Sequence, residues 1–156
     1  MKQILISHRG NVNGKFESSE NEPTYIDRAI ELGFQVEVDV WYQKDQLYLG
    51  HNEPLYGVNR DWFVERIDEL WIHCKSVSTL SYFNEQPVGM KHGFAKQFNY
   101  FYHTDEDVVL TSRGYIWVHP CTRPIETGII VKPSLYQDDT SKCRGICSDF
   151  IGTYKK

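Results

Sequence analysis

The stretch Gln35–Asn52 reads QVEVDVWYQKDQLYLGHN and combines the pattern of a β-strand with side chains suited to chemistry. Valines alternate with polar or aromatic residues at its start, which is the period of two of a strand. That period places Glu37 and Asp39 on one face, about 7 Å apart along the strand. Two carboxylates in one space resist burial unless a cation or a proton lies between them. With His51 after a second apolar run, the stretch predicts a metal-assisted acid–base site; the alternative is an edge strand whose carboxylates face solvent.

Length and composition indicate one domain covering residues 1–156. A chain of 156 residues can bury a core but is short for two domains. Its content of 40% hydrophobic and 24% charged residues is typical of soluble globular proteins. The net charge is −4 and only Tyr154-Lys155-Lys156 is locally basic, so no basic stripe is available for phosphates and we expect no nucleic-acid partner.

The sequence shows neither a secretory signal nor a membrane span. MKQILISHRG turns polar after four or five apolar positions, and no apolar run approaches the length of a bilayer crossing. We therefore expect a cytoplasmic protein with no membrane insertion. In that compartment the cysteines are expected to be reduced and mostly buried; they are Cys74, Cys121, Cys143 and Cys147. The spacing of Cys143 and Cys147 occurs in zinc sites, but no second ligand pair at matching spacing accompanies it.

The order of apolar segments predicts a βαβ unit at the start of the chain. Lys2–Ser7 is a predicted strand, and an apolar stripe that Pro23 begins and Gly33 ends is a predicted helix before the strand at Gln35. This order implies a parallel sheet. The elements predicted next are a helix at Asp61–Leu70, a strand at Trp71–Lys75, a short helix at Ser76–Glu85 and a loop that contains Pro87 and Gly89. From Asn99 onward the sequence holds short apolar runs separated by turns, with no room for full helices between them.

Polar side chains follow the ends of successive predicted strands. They are His8-Arg9, Glu37 with Asp39, His51, and His73 with Lys75. In a parallel barrel the C-terminal ends of the strands collect on one rim, where active sites are built. Residues that are distant in sequence would then converge around one cation.

These residues resemble the motifs of the glycerophosphodiester phosphodiesterase family. The matching pieces are HRG at 8–10, EN at 20–21, A-x-x-x-G at 29–33, ExD at 37–39 and GH at 50–51. Later, WIHCK resembles the family's third-strand Glu-x-Lys, and GICSDF resembles its last strand, which carries an Asp before its end. The combination in the first third of the chain is specific although each motif alone is not; the later matches are weaker, and together the matches extend from Ile6 to Phe150.

The resemblance implies an α/β fold, namely a compact TIM-like (β/α) barrel with reduced or missing helices in the second half. It implies a hydrolase: a metal-dependent phosphodiesterase that cleaves a small phosphodiester, either a glycerophosphodiester or a sugar- or nucleotide-linked relative. Strands without helices would leave apolar outer faces. Those faces would be covered by the abundant aromatic residues or by a second subunit, so a homodimer is expected.

The resemblance also assigns roles to single residues. These are metal binding by Glu37 and Asp39, commonly of Mg²⁺ or Ca²⁺, acid–base catalysis by His8 and His51, and phosphate contact by Arg9. Lys75 would lie near the phosphate or support a metal ligand. Oxygen ligands suit hard cations. A divalent metal with a guanidinium would neutralise the charge that builds at phosphorus in the transition state. Two imidazoles with near-neutral pKa values can divide the two proton transfers between them.

Three departures from the family pattern affect these roles. His73 stands where the family has its third carboxylate ligand, and an imidazole there shifts the preference towards Mn²⁺, Fe²⁺ or Zn²⁺. Asn52 replaces the usual Asp after the second histidine, and Ser19 replaces the usual Pro before Glu20. The metal and the competence of the site for catalysis therefore stay open.

Further candidates lie outside the core of the motif. The predicted substrate-binding residues are Lys75, His103, Ser112 and Trp117, and the predicted supporting residues are Glu20, Asn21 and Asp149. Trp117 could stack on a sugar or other ring, but a place in the apolar core is favoured. His119 is expected to lie in a loop without function, and Lys132 ends its strand as Lys75 does and could meet an anion.

Two alternatives to hydrolysis share the same residues. Sphingomyelinase-D-like enzymes use a similar His, ExD, His set, and a hydroxyl of their substrate attacks to give a cyclic phosphate. A non-catalytic barrel that only binds a phosphorylated ligand is the other alternative, which the replacement at His73 motivates.

Overall fold

A computed structural model describes residues 2–120, 122–134 and 137–155. Cys121 and Lys156, which appear in the predictions above, lie outside these ranges. Within them the strands are β1 Ile4–His8, β2 Gln35–Gln43, β3 Gln46–Leu49, β4 Tyr56–Val58, β5 Leu70–Cys74, β6 Val88–Lys91, β7 Phe94–Gln97, β8 Tyr100–Phe101, β9 Val108–Leu110, β10 Ile116–Val118, β11 Ile129–Val131 and β12 Gly145–Ser148. The helices are α1 Pro23–Glu31, α2 Arg60–Glu65 and α3 Val77–Glu85, and a 3₁₀ turn covers Ile151–Tyr154.

Ten strands form one curled, mixed sheet. Its order is β4-β3-β2-β1-β12-β11-β10-β9, and β5 pairs with β2 and with β8. The pairs that join β8, β5, β2, β1, β12, β11 and β10 are parallel. Strands β3, β4 and β9 pair antiparallel, and β6 with β7 forms a separate hairpin. The predicted parallel sheet is therefore present, but it carries antiparallel strands at its margins.

The predicted TIM-like barrel is wrong. Such a barrel alternates strand and helix throughout and closes on itself, whereas this chain forms a curled half-barrel of mixed strands whose described α-helices all end by Glu85. The physical reason is that segments after Asn99 lack helical periodicity and fold as short strands and turns. Side chains at strand ends converge equally well on an open, curled parallel sheet, so the motifs could not distinguish the two architectures.

The apolar face of β2 and the helices form one core. Val36, Val38 and Val40 are fully buried in a cluster with Ile26 of α1 and Phe63 of α2. Pro23 at the start of α1 suits a first helical turn, where its missing N–H costs nothing. Burying the valines on this face leaves the alternate positions of β2 pointing into the concave side of the sheet.

Two predicted segments differ in the structure. Helix α2 stops at Glu65 instead of reaching Leu70, because Leu70 already pairs with β2 as the first residue of β5. The region around Pro87 and Gly89, predicted as a loop, contains the β6–β7 hairpin. A Cβ on Gly89 would lie 2.9 Å from a methyl group of Val64, so the hairpin packs closely on α2.

The second half of the sheet is covered by its own chain. Val118, Ile130 and Ile146 on the outer face form a buried cluster with Cys143 of the preceding loop and Ile151 of the 3₁₀ turn. The apolar face that suggested a homodimer is thus already packed, and that reason for expecting a dimer does not apply to β10–β12.

The cysteines within the described ranges are free and buried, namely Cys74, Cys143 and Cys147. Cys147 belongs to the cluster inside the curl and Cys143 to the cluster outside it, so the two do not form a metal-binding pair. In the described part of the chain, no helix combines the length and the apolarity needed to cross a membrane.

Candidate functional site

The register of the parallel strands brings the sequence motifs together. His8 of β1 lies beside Glu37 of β2, and Asp39 lies beside His73 of β5. The C-terminal ends of neighbouring parallel strands open at the same edge of the sheet. The polar residues there are buried; Glu37 is 2% exposed and Asp39 is 0% exposed. The alternative of solvent-facing carboxylates on an edge strand is wrong, since β2 is paired along both sides.

Asp39 is the centre of a dense set of contacts. Its backbone N–H donates to Asn21 Oδ1 (2.9 Å), and its Oδ2 accepts from Asn21 Nδ2 (3.0 Å). Its Oδ2 also lies 2.8 Å from Arg9 Nε, and its Oδ1 lies 3.0 Å from His73 Nδ1 and 3.5 Å from Lys75 Nζ. Three cationic or protonatable side chains thus surround one buried carboxylate, which offsets the cost of burying its charge.

The electrostatics of this centre favour an ion pair between His73 and Asp39. Burial alone would raise the pKa of the Asp39 carboxyl, but the contact with His73 and the charge of Arg9 hold that pKa well below its usual range. Burial alone would lower the pKa of His73, but Asp39 and Glu37 outweigh it and raise that pKa. Burial alone would lower the pKa of the Arg9 guanidinium, but the charge of Asp39 outweighs burial and raises that pKa.

His8 is held from behind by a second network. Its Nδ1 lies 2.7 Å from Asp149 Oδ1 at the end of β12, and its Nε2 lies 3.8 Å from Glu37 Oε2. Asn11 Nδ2 donates to Asp149 Oδ1 and to Glu20 Oε1, each at 2.8 Å. Because Nδ1 of His8 contacts Asp149, its Nε2 is the ring nitrogen that faces Glu37.

Asn11 is a site residue that the sequence predictions missed. It directly follows the HRG turn, and its backbone N–H donates to the His8 carbonyl (3.0 Å). Its side chain also accepts from the Tyr25 hydroxyl (3.1 Å). The position lay in a polar loop with no motif, so the only available signal was its closeness in sequence to His8.

His51 reaches the site through a glycine that no other residue can replace without strain. Gly50 has φ +153°, and a Cβ there would lie 2.0 Å from the Glu53 carbonyl oxygen. Its N–H donates to the Asp39 carbonyl (3.1 Å), and its own carbonyl accepts from Trp41 Nε1 (2.7 Å). Burial and the charge of Arg9 lower the pKa of His51, so its imidazole is neutral at neutral pH.

These side chains surround a cavity of about 160 Å³. Its lining residues are His8, Arg9, Glu37, His51, His73, His103, Trp117, His119, Pro120, Val131 and Lys132. Two larger clefts open around Tyr115 (about 490 Å³) and near the start of β1 (about 510 Å³), and neither has a His, Asp or Glu in its lining. Size alone would favour those clefts, but the chemistry is concentrated in the smaller cavity.

A polar cleft adjoins the cavity. It has a volume of about 370 Å³ and shares Arg9 and His51 with the cavity. Its other lining residues are Lys15, Glu17, Glu20, Asn52, Glu53 and Leu55. A ligand could therefore extend from the histidine-lined cavity into this cleft past the two shared side chains.

Two histidines from the second half complete the cavity wall. The ring of His103 stacks on His73 with centroids 4.4 Å apart, and His119 meets His103 edge to face at 5.2 Å. His103 thus lines the cavity, and its contact with a substrate stays a prediction. The prediction of a loop without a site for His119 missed its place in the cavity lining.

His103 gives a testable pH dependence. Burial, together with the charge of His73, lowers its pKa to about 4. Between pH 6.5 and 4 the unfolded chain then binds more protons at this position than the folded one, so stability is lost as the pH falls through this window. We expect His103→Gln to reduce that loss, as measured by urea unfolding at pH 7 and pH 5, and His92→Gln at the exposed hairpin tip to leave it unchanged. An NMR titration midpoint for His103 of 6 or above would contradict the expectation.

Other predicted contact residues have structural roles. Ser112 Oγ accepts from the Tyr100 N–H (2.9 Å) and donates to the Phe98 carbonyl (2.8 Å), which fixes β8 and takes Ser112 out of the cavity. Trp117 is 3% exposed and packs on Phe101 with ring centroids 4.5 Å apart. It contributes to the cavity wall, but its ring belongs to the core inside the curl.

The donor atoms fit a divalent cation. Two buried groups, Glu37 with Asp39 and His73, and His8 with Glu20 and Asp149, each offer one ligand atom per residue within 4.8 Å of one another and could hold a metal ion. In the first group the buried Glu37 Oε2 accepts no hydrogen bond, whereas Asp39 Oδ1 contacts His73 and Lys75. A buried acceptor such as Glu37 Oε2 carries a desolvation cost that a cation would remove.

Comparisons with known proteins found no matching protein family, no matching curated protein and no matching solved structure. The functional interpretation therefore depends on the geometry of the site and on the motif resemblance.

Proposed function

We propose that this protein is a metal-dependent phosphodiesterase that hydrolyses a small phosphodiester by histidine acid–base catalysis. The observation that carries the proposal is the convergence of His8, Arg9, Glu37 and His51 on one cavity, with Asp39 directly behind them. This set unites two imidazoles, a guanidinium and a pair of buried carboxylates. The combination matches the needs of phosphodiester cleavage: charge neutralisation at phosphorus and two proton transfers.

Glu37, Asp39 and His73 would hold the metal. When bound, a divalent cation would supply Lewis-acid stabilisation of the phosphoryl oxygens. The two carboxylates favour Mg²⁺ or Ca²⁺, and the imidazole widens the choice to Mn²⁺ or Zn²⁺. Since a ligating imidazole must be neutral and the pKa of His73 is raised, metal binding is expected to release a proton.

The two histidines can divide the proton transfers. His51 is neutral at neutral pH, so it can accept a proton from a water that attacks phosphorus. His8 is fixed by Asp149 at Nδ1, and its Nε2 can give a proton to the departing alkoxide as the bond from phosphorus to that oxygen breaks. Arg9 keeps its charge and can bind a phosphoryl oxygen throughout.

Glu37→Gln tests the metal site. The substitution keeps the size of the side chain and removes one anionic ligand, so the affinity for Mn²⁺ or Mg²⁺ measured by calorimetry should fall by more than the roughly 10–100-fold that outer-shell changes cost. Glu31→Gln, on the exposed side of α1, is the control and should bind metal like the unmodified protein. An unchanged metal affinity in Glu37→Gln would show that Glu37 is not a ligand and would contradict the proposed metal centre.

Assays on a panel of phosphodiesters with Mg²⁺, Ca²⁺ or Mn²⁺ test the reaction itself. Phosphorus NMR of the products distinguishes an open monoester, which the proposal requires, from the cyclic phosphate of an intramolecular transfer. A cyclic product would be compatible with the same site residues, but it would show that the reaction is an intramolecular transfer and not hydrolysis. Activity that persists in Glu37→Gln would contradict the proposed mechanism.

A non-catalytic phospho-ligand-binding protein is the second candidate, and one observation favours it. Arg9, His73 and Lys75 already neutralise Asp39, so an ion would have to compete with three positively charged or protonatable neighbours. Calorimetry with divalent ions and then with phosphorylated ligands decides between the candidates. Tight binding of the ligand with no turnover under any of the metals would favour the binding protein.

A further inference from the structure

Lys132 lies at the same edge of the sheet as the proposed catalytic residues. It directly follows β11, its backbone has φ +49°, and its N–H donates to the Cys147 carbonyl (2.7 Å). This left-handed residue turns the chain at the strand end. Its ammonium nitrogen lies 3.4 Å from Asp149 Oδ2, on the oxygen that His8 does not use, and its side chain remains 37% exposed.

The charges that face the cavity favour an anion. Of the described residues that line it, Arg9 and Lys132 are cations, His73 forms an ion pair with Asp39, and Glu37 is the one carboxylate. Asp149 and Asp39 stand behind this wall and do not line the cavity. Lys75, predicted to lie near the phosphate or to support a metal ligand, is absent from the lining, and its ammonium lies 3.5 Å from Asp39, a proposed metal ligand.

We propose that Lys132, and not Lys75, is the second phosphate-binding cation of the cavity beside Arg9. The inference rests on the proposed function only for the chemical class of the ligand, a phosphoryl group. Asp149 holds the ammonium at the cavity wall through one oxygen and the His8 ring through the other. A lysine ammonium has three donors, so Lys132 can keep this contact and still bind a phosphoryl oxygen.

The volume of the cavity limits what it holds together with the phosphate. About 160 Å³ is the space of roughly five water molecules. A phosphoryl group with a short substituent fits that space, and the larger part of a substrate would extend past Arg9 and His51 into the polar cleft.

Binding of inorganic phosphate tests the assignment without any turnover. Calorimetric titration of the whole chain, first with EDTA and then with Mg²⁺, should show phosphate binding that Lys132→Gln weakens about tenfold or more and Lys132→Arg largely keeps. Lys44→Gln is a matched control, because Lys44 also has a left-handed backbone (φ +50°) and lies on the exposed β2–β3 turn. Equal affinity in Lys132→Gln and Lys44→Gln would overturn the proposal, as would the absence of phosphate binding under both conditions.

Asp149→Asn separates phosphate contact from mere support of Asp149. If Lys132 binds phosphate, the amide of the same size removes the carboxylate charge that competes with phosphate for the ammonium, so phosphate affinity stays equal or rises. If Lys132 only positions Asp149, then Asp149→Asn and Lys132→Gln should weaken phosphate binding alike, and the proposal is wrong.

Chemical modification of the unmodified protein gives a second measurement that needs no variant to fold. Phosphate should slow the acetylation of Lys132 and leave that of Lys44 unchanged, as followed by mass spectrometry. Protection of neither lysine would overturn the assignment. Phosphate binding that depends on Lys132 in a protein with no diesterase activity would instead contradict the proposed function and leave the phosphate site in place.

Discussion

Asp39→Asn is expected to lower the free energy of unfolding by about 3–5 kcal/mol, which is the usual cost of removing one partner from a buried ion pair. The side chain is fully buried, and its two oxygens lie within 3.5 Å of Arg9, His73 and Lys75. An amide keeps the shape but removes the charge that these neighbours share. Because whole domains are stable by only about 5–15 kcal/mol, the variant should be visibly destabilised.

Urea unfolding at pH 7 measures the effect. Asp45→Asn is the matched control, because Asp45 lies on the exposed turn that follows the same strand, and its change should stay within about 0.5 kcal/mol. A loss below about 1 kcal/mol in Asp39→Asn would show that the three neighbours do not depend on this carboxylate. Adding Mn²⁺ or Mg²⁺ to the unmodified protein should stabilise it through mass action, and the same addition should not rescue Asp39→Asn.

The sequence pattern predicted the placement of the polar side chains better than the architecture that holds them. A period of two in QVEVDV places Glu37 and Asp39 on one face whatever the sheet does elsewhere, and the structure confirms that placement through their shared contacts with His73. The βαβ order was also sufficient to predict that β1 and β2 are parallel neighbours. Both features depend on local patterns of side chains.

The missed features depend on contacts between distant segments. A barrel would have helices outside its later strands, whereas here Cys143 and Ile151 cover that face. Asn11 contacts Asp149, which follows β12, and His119 follows β10 and lines the cavity. Both belong to the site because β12 and β10 end at the same edge of the sheet, which no spacing in the sequence encodes. Ser112 was misassigned because a hydroxyl near a strand end satisfies backbone groups as readily as it binds a ligand.

His51→Ala is expected to lower kcat of the proposed diesterase by about 10²–10⁴-fold, the usual contribution of a positioned acid or base. The imidazole lies at the junction of the cavity and the polar cleft, where a ligand that occupies both must pass it. Its lowered pKa leaves it unprotonated at neutral pH, which a group that takes a proton from water requires. Since the side chain is only half-buried, unfolding by urea should change little, in contrast to Asp39→Asn.

Steady-state rates on the best substrate of the diester panel, with the metal saturating, measure this effect. His92→Ala removes an exposed imidazole at the hairpin tip and should keep full activity. Added imidazole should restore part of the rate of His51→Ala, because the space left beside Arg9 opens to the polar cleft. A kcat within threefold of the unmodified protein would assign the proton transfer to another group, and a loss of activity accompanied by unfolding would show that His51 supports the turn after Gly50 and not the reaction.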